Sequence, residues 1–145
     1  MYIRTDEITC GNSYGIAFGY MFARCTNLLT GPTWICNDNK LSIDGWAQFI
    51  GMFRHCTNLK TVTLPPITTY TYSYYYERQF ETMLENCSSL ETIYYDGVYP
   101  IDSTTTSKSF SNGMNTTGDF YNLKNANVSR DVNGIPSGWT IHTSL

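Results

Sequence analysis

Cys25, Cys56 and Cys87 stand 31 residues apart. Cysteine at regular intervals invites two chemistries, thiolate ligation of a metal and thiol–disulfide exchange. The local pattern favours neither. No C-x-x-C pair accompanies these residues, and each closes an apolar series at i, i+3, i+4 and i+7, the first being Phe18, Met21, Phe22 and Cys25. Each is therefore expected to be a small buried hydrophobe carrying a reduced thiol. Cys10 and Cys36 lie outside the series and are the better redox candidates, and with 5 cysteines at least one thiol has no partner within the chain.

Acid–base chemistry finds no better footing. His55 and His142 are the only histidines, and His55 occupies the position held by Arg24 and Asn86 in the neighbouring units. A position that changes so freely is read as solvent-facing. Glu81 and Glu85 are spaced i, i+4 on what reads as an exposed helical face, where they serve solvation. No G-x-S-x-G, phosphate-binding loop, H-E-x-x-H or EF-hand pattern occurs. We therefore expect no catalytic residue, no cofactor and no metal, and hence no enzyme. Asn86, Asn115 and Asn127 begin glycosylation-type triplets, which arise easily in a chain so rich in Asn, Ser and Thr.

Recognition is the chemistry this composition does favour. The chain has 145 residues, 12 of them Tyr, and only 14% are charged against about a quarter in an average protein. The net charge of −3 with no basic run argues against nucleic acid. No window of 18 apolar residues argues against a membrane span, and Met1 to Glu7 carries acids where a secretion leader would be apolar. Tyrosine offers large amphipathic contact area at low entropic cost, so the run Tyr70 to Tyr76 and the later Tyr94 attract attention. Tyr70, Tyr74, Tyr75 and Tyr94 are expected to face outward as candidate anchors. Thr30, Thr61 and Thr92, with Thr63 beside them, are expected to form a second candidate surface, as rows of hydroxyls on an open sheet face.

These residues are held by a repeat. Phe18-x-x-Met21-Phe22-x-x-Cys25-Thr26-Asn27-Leu28 recurs as Phe49-x-x-Met52-Phe53-x-x-Cys56-Thr57-Asn58-Leu59 and as Phe80-x-x-Met83-Leu84-x-x-Cys87-Ser88-Ser89-Leu90, without a gap. The apolar series predicts a short amphipathic helix in each unit, with Ser13, Asp44 and Ser73 as N-caps. Leu59-Lys-Thr-Val62-Thr-Leu64 and Leu90-Glu-Thr-Ile93-Tyr-Tyr95 predict adjacent parallel strands, while the first unit keeps too little of the pattern for more than a frayed strand. Met114 lies in phase with Met83 and Gly118 takes the cysteine position, so the end reads as a degraded fourth unit. Gly134 to Ile141 predicts a turn and a short strand that pairs with the last open edge.

The L-x-x-L-x-L strands, the F-x-x-M-F-x-x-C-T-N-L unit, Thr117-Gly-Asp-Phe-Tyr and Gly134-Ile-Pro-Ser-Gly-Trp-Thr-Ile resemble BspA-type leucine-rich repeat proteins. Such proteins are found on Bacteroidales bacterial surfaces and in phage genomes. The resemblance covers residues 13–98 as repeats and 110–141 as the terminal segment. It implies an α/β solenoid forming a single domain, 1–145, with residues 1–12 as N-terminal cap, 13–98 as three repeats and 99–145 as C-terminal cap. It also implies a non-enzymatic recognition or adhesion module, binding a protein or glycan at a cell surface or on a phage particle. A structural role in a virion or fibre, through self-association or a larger assembly, is the second expectation.

Overall fold

Alternation of inward apolar and outward polar side chains sets the strands. Val62 and Ile93 are fully buried while their flanking Thr61, Thr63, Thr92 and Tyr94 are half-exposed. The computed structural model describes residues 7–10, 18–36, 41–43, 49–70, 78–106 and 109–145. Its elements are β1 (Glu7–Cys10), β2 (Thr33–Cys36), β3 (Leu41–Ile43), β4 (Thr61–Thr63), β5 (Ile67–Tyr70), β6 (Thr92–Tyr95), α1 (Ser103–Thr106), β7 (Gly118–Asn122) and β8 (Trp139–His142). All described strand pairs are parallel: β1 with β2, β3 with β5, and a four-stranded sheet in the order β4-β6-β7-β8. Segments 59–64 and 90–95 are thus neighbours in parallel, as their spacing predicts. The first unit contributes a single bridge, Thr30 to Thr61.

Over the described residues the predicted helices do not form. Residues 18–25, 49–56 and 80–87 form runs of consecutive turns, and among the described residues the four-residue α1 is the one helix. The reason lies in where alternate amides point. The N–H groups of Gly51, Phe53 and His55 donate to the carbonyls of Glu81, Met83 and Glu85 in the next coil at 2.8, 3.1 and 2.8 Å. Tyr20, Phe22 and Arg24 donate likewise to Ile50, Met52 and Arg54. The intervening amides of Met52, Arg54 and Cys56 close turns onto Phe49, Gly51 and Phe53. An α-helix would direct every amide along its own axis. Here half of them cross to the neighbouring coil.

This alternation forces left-handed backbone at recurring positions. Tyr20, Gly51 and Thr82 have φ of 56°, 58° and 53°, and Arg24, His55, Asn86 and Gly113 have 63°, 63°, 60° and 70°. The tolerance of the Arg24/His55/Asn86 position is thus a matter of backbone geometry, since of the three only Arg24 is exposed while His55 and Asn86 are half-buried. Glycine suits it without penalty, and Asn and His adopt it more readily than most residues.

The apolar positions still converge, because a turn ribbon also brings i, i+3, i+4 and i+7 to one side. Phe49, Met52, Phe53 and Cys56, and their equivalents Phe80, Met83, Leu84 and Cys87, are all fully buried. Aromatic rings stack from coil to coil, Phe18 on Phe49 at 5.6 Å and Phe22 on Phe53 at 5.5 Å. Each buried side chain of this size contributes about 1.5–3 kcal/mol by leaving water. The fourth coil corrects the sequence alignment. Cys87 N–H bonds to Leu84 and Met114 N–H to Ser111, and Gly113 matches left-handed Asn86, so Met114 takes the cysteine position rather than that of Met83. Gly118 instead opens β7 opposite Trp139, where the indole lies so close that a Cβ on Gly118 would approach it to 2.8 Å.

The last strand pairs with β7, as expected. Its outer edge is partly closed, since Arg130 Nη2 donates to the carbonyls of Ser137 and Trp139 at 2.7 and 2.6 Å. A sheet edge blunted in this way resists pairing with other chains. The proposed caps Ser13, Asp44 and Ser73 lie outside the described residues.

Candidate functional site

The parallel register lines outward-facing side chains into two rows that cross the sheet. Thr61, Thr92, Asp119 and Thr140 are directly paired, and the Thr30 bridge extends the row. Thr63, Tyr94, Tyr121 and His142 form the second row. The sequence-predicted Thr30, Thr61, Thr92, Thr63 and Tyr94 are thus brought together on one face. Tyr70 belongs to the separate β3–β5 pair, opposite Ile43, and Tyr74 and Tyr75 lie outside the described residues.

Tyr121, His142 and Asp119 belong to the face and escape a search at fixed spacing. From Thr30 to Thr61 and on to Thr92 the row advances by 31 residues, but the next steps, to Asp119 and Thr140, are 27 and 21. The signal that could have found them is alternation: with Phe120 turned inward, Asp119 and Tyr121 must turn outward.

The second row is a stack of rings. Tyr94 and Tyr121 have centroids 4.9 Å apart at 21°, and Tyr121 and His142 are 4.6 Å apart at 18°. Near-parallel rings at strand spacing turn their faces toward one another and their edges toward solvent. Tyr94 is therefore half-buried, one ring face covered by its neighbour. His142 Nε2 lies 2.7 Å from Asp119 Oδ1, a contact that ties β8 to β7 at the end of the stack. The hydroxyls of Thr61, Thr92, Tyr94 and Tyr121 make no hydrogen bond to another described residue.

Charge on and around this face is paired between coils. Lys60 Nζ meets Glu91 Oε1 at 3.0 Å, both well exposed, and Lys124 meets Asp96 at 3.5 Å. On the turn side, Arg54 and Glu85 approach to 2.7 Å, and Arg78 holds Glu81, whose residue is only 4% exposed. Glu81 and Glu85 are thus ion-paired and largely covered, which corrects their reading as an exposed solvating pair. The cause is again the turn ribbon, which does not have the exposed outer face of a helix.

The cysteines divide by position in the array. Cys56 and Cys87 are buried and free, and their thiols donate to the carbonyls of Phe22 and Phe53 one coil back, at 3.0 and 3.1 Å. Burial pushes the Cys56 thiol up to about 11 and Cys87 to about 12, so both are inert at neutral pH. Cys25 is exposed, contrary to expectation. It ends the first described turn segment, and among the described residues a coil packs on one side of it where Cys56 has one on each. The side chains of Cys10 and Cys36 lie outside the described residues.

Among the described residues no group of three His, Cys, Asp or Glu side chains is placed to hold a metal ion, and no helix is long and apolar enough to cross a membrane. No protein-family model, curated protein or solved structure matches this chain.

Proposed function

We propose that this chain is a short solenoid of the BspA-like leucine-rich repeat kind and that it acts as a non-enzymatic recognition or adhesion module. Its partner is a protein or a glycan at a bacterial cell surface or on a phage particle. The observation that carries this reading is the outward face built by Tyr94, Tyr121 and His142 beside the Thr row. Aromatic rings held rigidly by a sheet lose little entropy when a partner binds. A binding screen against mucin glycans and host-cell surface proteins tests it, with Tyr94→Ala/Tyr121→Ala as the matched control. Loss of binding at unchanged melting temperature supports the reading, and equal binding by both proteins refutes it.

A structural role in an assembly is the second reading. It is favoured by exposed apolar side chains at the two ends of the array, Met21 and Leu29 in the first coil and Ile141 and Leu145 at the last.

A further inference from the structure

The two rows run across the strands, along the direction in which coils stack. Each strand offers only two outward side chains to a ligand lying along it, for example Thr92 and Tyr94 on β6. A ligand lying across the strands meets a new polar side chain at every coil, about every 4.8 Å, a hydroxyl at each except Asp119 in the first row and His142 in the second. The ring faces are turned on one another, so what reaches solvent is the ring edges and the phenolic hydroxyls of Tyr94 and Tyr121. The cations near these rows, Lys60 and Lys124, already face carboxylates, and Asp119 adds a negative charge. Anionic ligands therefore find no uncommitted cation among the described residues of this face.

We infer that the face binds a neutral, linear oligosaccharide laid along the solenoid axis, gripped by the Tyr94, Tyr121 and Thr hydroxyls rather than by stacking of sugars on ring faces. This rests on the recognition reading above and narrows it to one ligand class and one mode of contact. A sugar chain supplies a regular series of hydroxyl donors and acceptors, the counterpart of a row repeated strand by strand. A peptide seated on the same rows would present its polar groups in backbone pairs, interrupted by side chains that a row of hydroxyls does not match.

The test uses the full chain and length series of neutral glucan, mannan and chitin oligosaccharides, from monosaccharide to hexasaccharide, with sialylated and sulfated glycans alongside. Affinity is expected to rise with chain length and level off once the ligand outgrows the four strands. Tyr94→Phe and Tyr121→Phe keep the ring stack and remove only the hydroxyl, and each is expected to weaken binding about fivefold to tenfold with unchanged melting. Phe variants that bind like the parent would overturn the hydroxyl mechanism, leaving recognition by ring area. Tighter binding of acidic glycans would overturn the choice of neutral ligands. If none of the sugars binds, the oligosaccharide assignment is wrong, and binding of a cell-surface protein in the wider screen would then leave the recognition reading standing.

Discussion

Gly51 and Thr82 occupy the same place in successive coils, both with left-handed backbone, φ 58° and 53°. Opposite substitutions at the two sites distinguish the turn ribbon from a helix by sign. In a helix interior, Gly51→Ala would stabilise by about 1 kcal/mol and Thr82→Gly would destabilise by several tenths. In the turn ribbon an L-residue at this φ costs about 1–2 kcal/mol. A Cβ on Gly51 would in addition run into the Tyr20 ring, and that ring, 49% exposed, must swing aside and lose its packing. Gly51→Ala is thus expected to destabilise by about 1–2 kcal/mol. At Thr82 the β-branched side chain carries the conformational cost already. Removing it returns that cost less the entropic handicap of glycine, for a gain of about 0.5–1 kcal/mol, or roughly 2–4 °C in melting temperature. Urea unfolding followed by tryptophan fluorescence reads both changes. A stabilised Gly51→Ala with a destabilised Thr82→Gly would refute the turn geometry.

Phe53→Ala removes a fully buried ring that stacks on Phe22 and is expected to cost about 3–5 kcal/mol, while Phe22→Ala, where the residue keeps 7% exposure, should cost less in the same urea titration. Maleimide labelling of native protein should be fast at Cys25 and slow at Cys56 and Cys87, with all three fast in urea, and peptide mapping of the labelled sites checks this. The buried thiols also make stability depend on alkaline pH. Their contribution is whole below pH 9, where thiols are protonated in folded and unfolded chains alike, and is lost as pH rises toward about 11 for Cys56 and about 12 for Cys87, because only the unfolded chain releases the proton. Cys87→Ala should therefore make the fall of stability shallower by about 1.4 kcal/mol per pH unit between about pH 9 and 12, and an unchanged slope would show the thiol is not protected.

Particular residues show what sequence can and cannot disclose here. The spacing of Phe49, Met52, Phe53 and Cys56 names the buried side correctly, because burial depends on where side chains gather. It cannot separate a helix from a turn ribbon, which differ in whether alternate amides bond within the coil or across it. Glycine and asparagine at Gly51, Asn86 and Gly113 were the available hint of left-handed backbone, obscured by Thr82, His55 and Arg24 at equivalent places. The Thr row and Tyr94 follow from the exact repeat. Tyr121, His142 and Asp119 do not, since the coils shorten toward the end and the register that joins these residues to Tyr94 is a product of strand pairing.

Successive coils are joined through alternate amides along their turn segments as well as through the sheet. Through-hydrogen-bond NMR couplings in the labelled protein measure this directly. Couplings are expected from the amides of Gly51, Phe53 and His55 to the carbonyls of Glu81, Met83 and Glu85. Couplings from those same amides to carbonyls four residues earlier in their own segment, with none to the next coil, would contradict it.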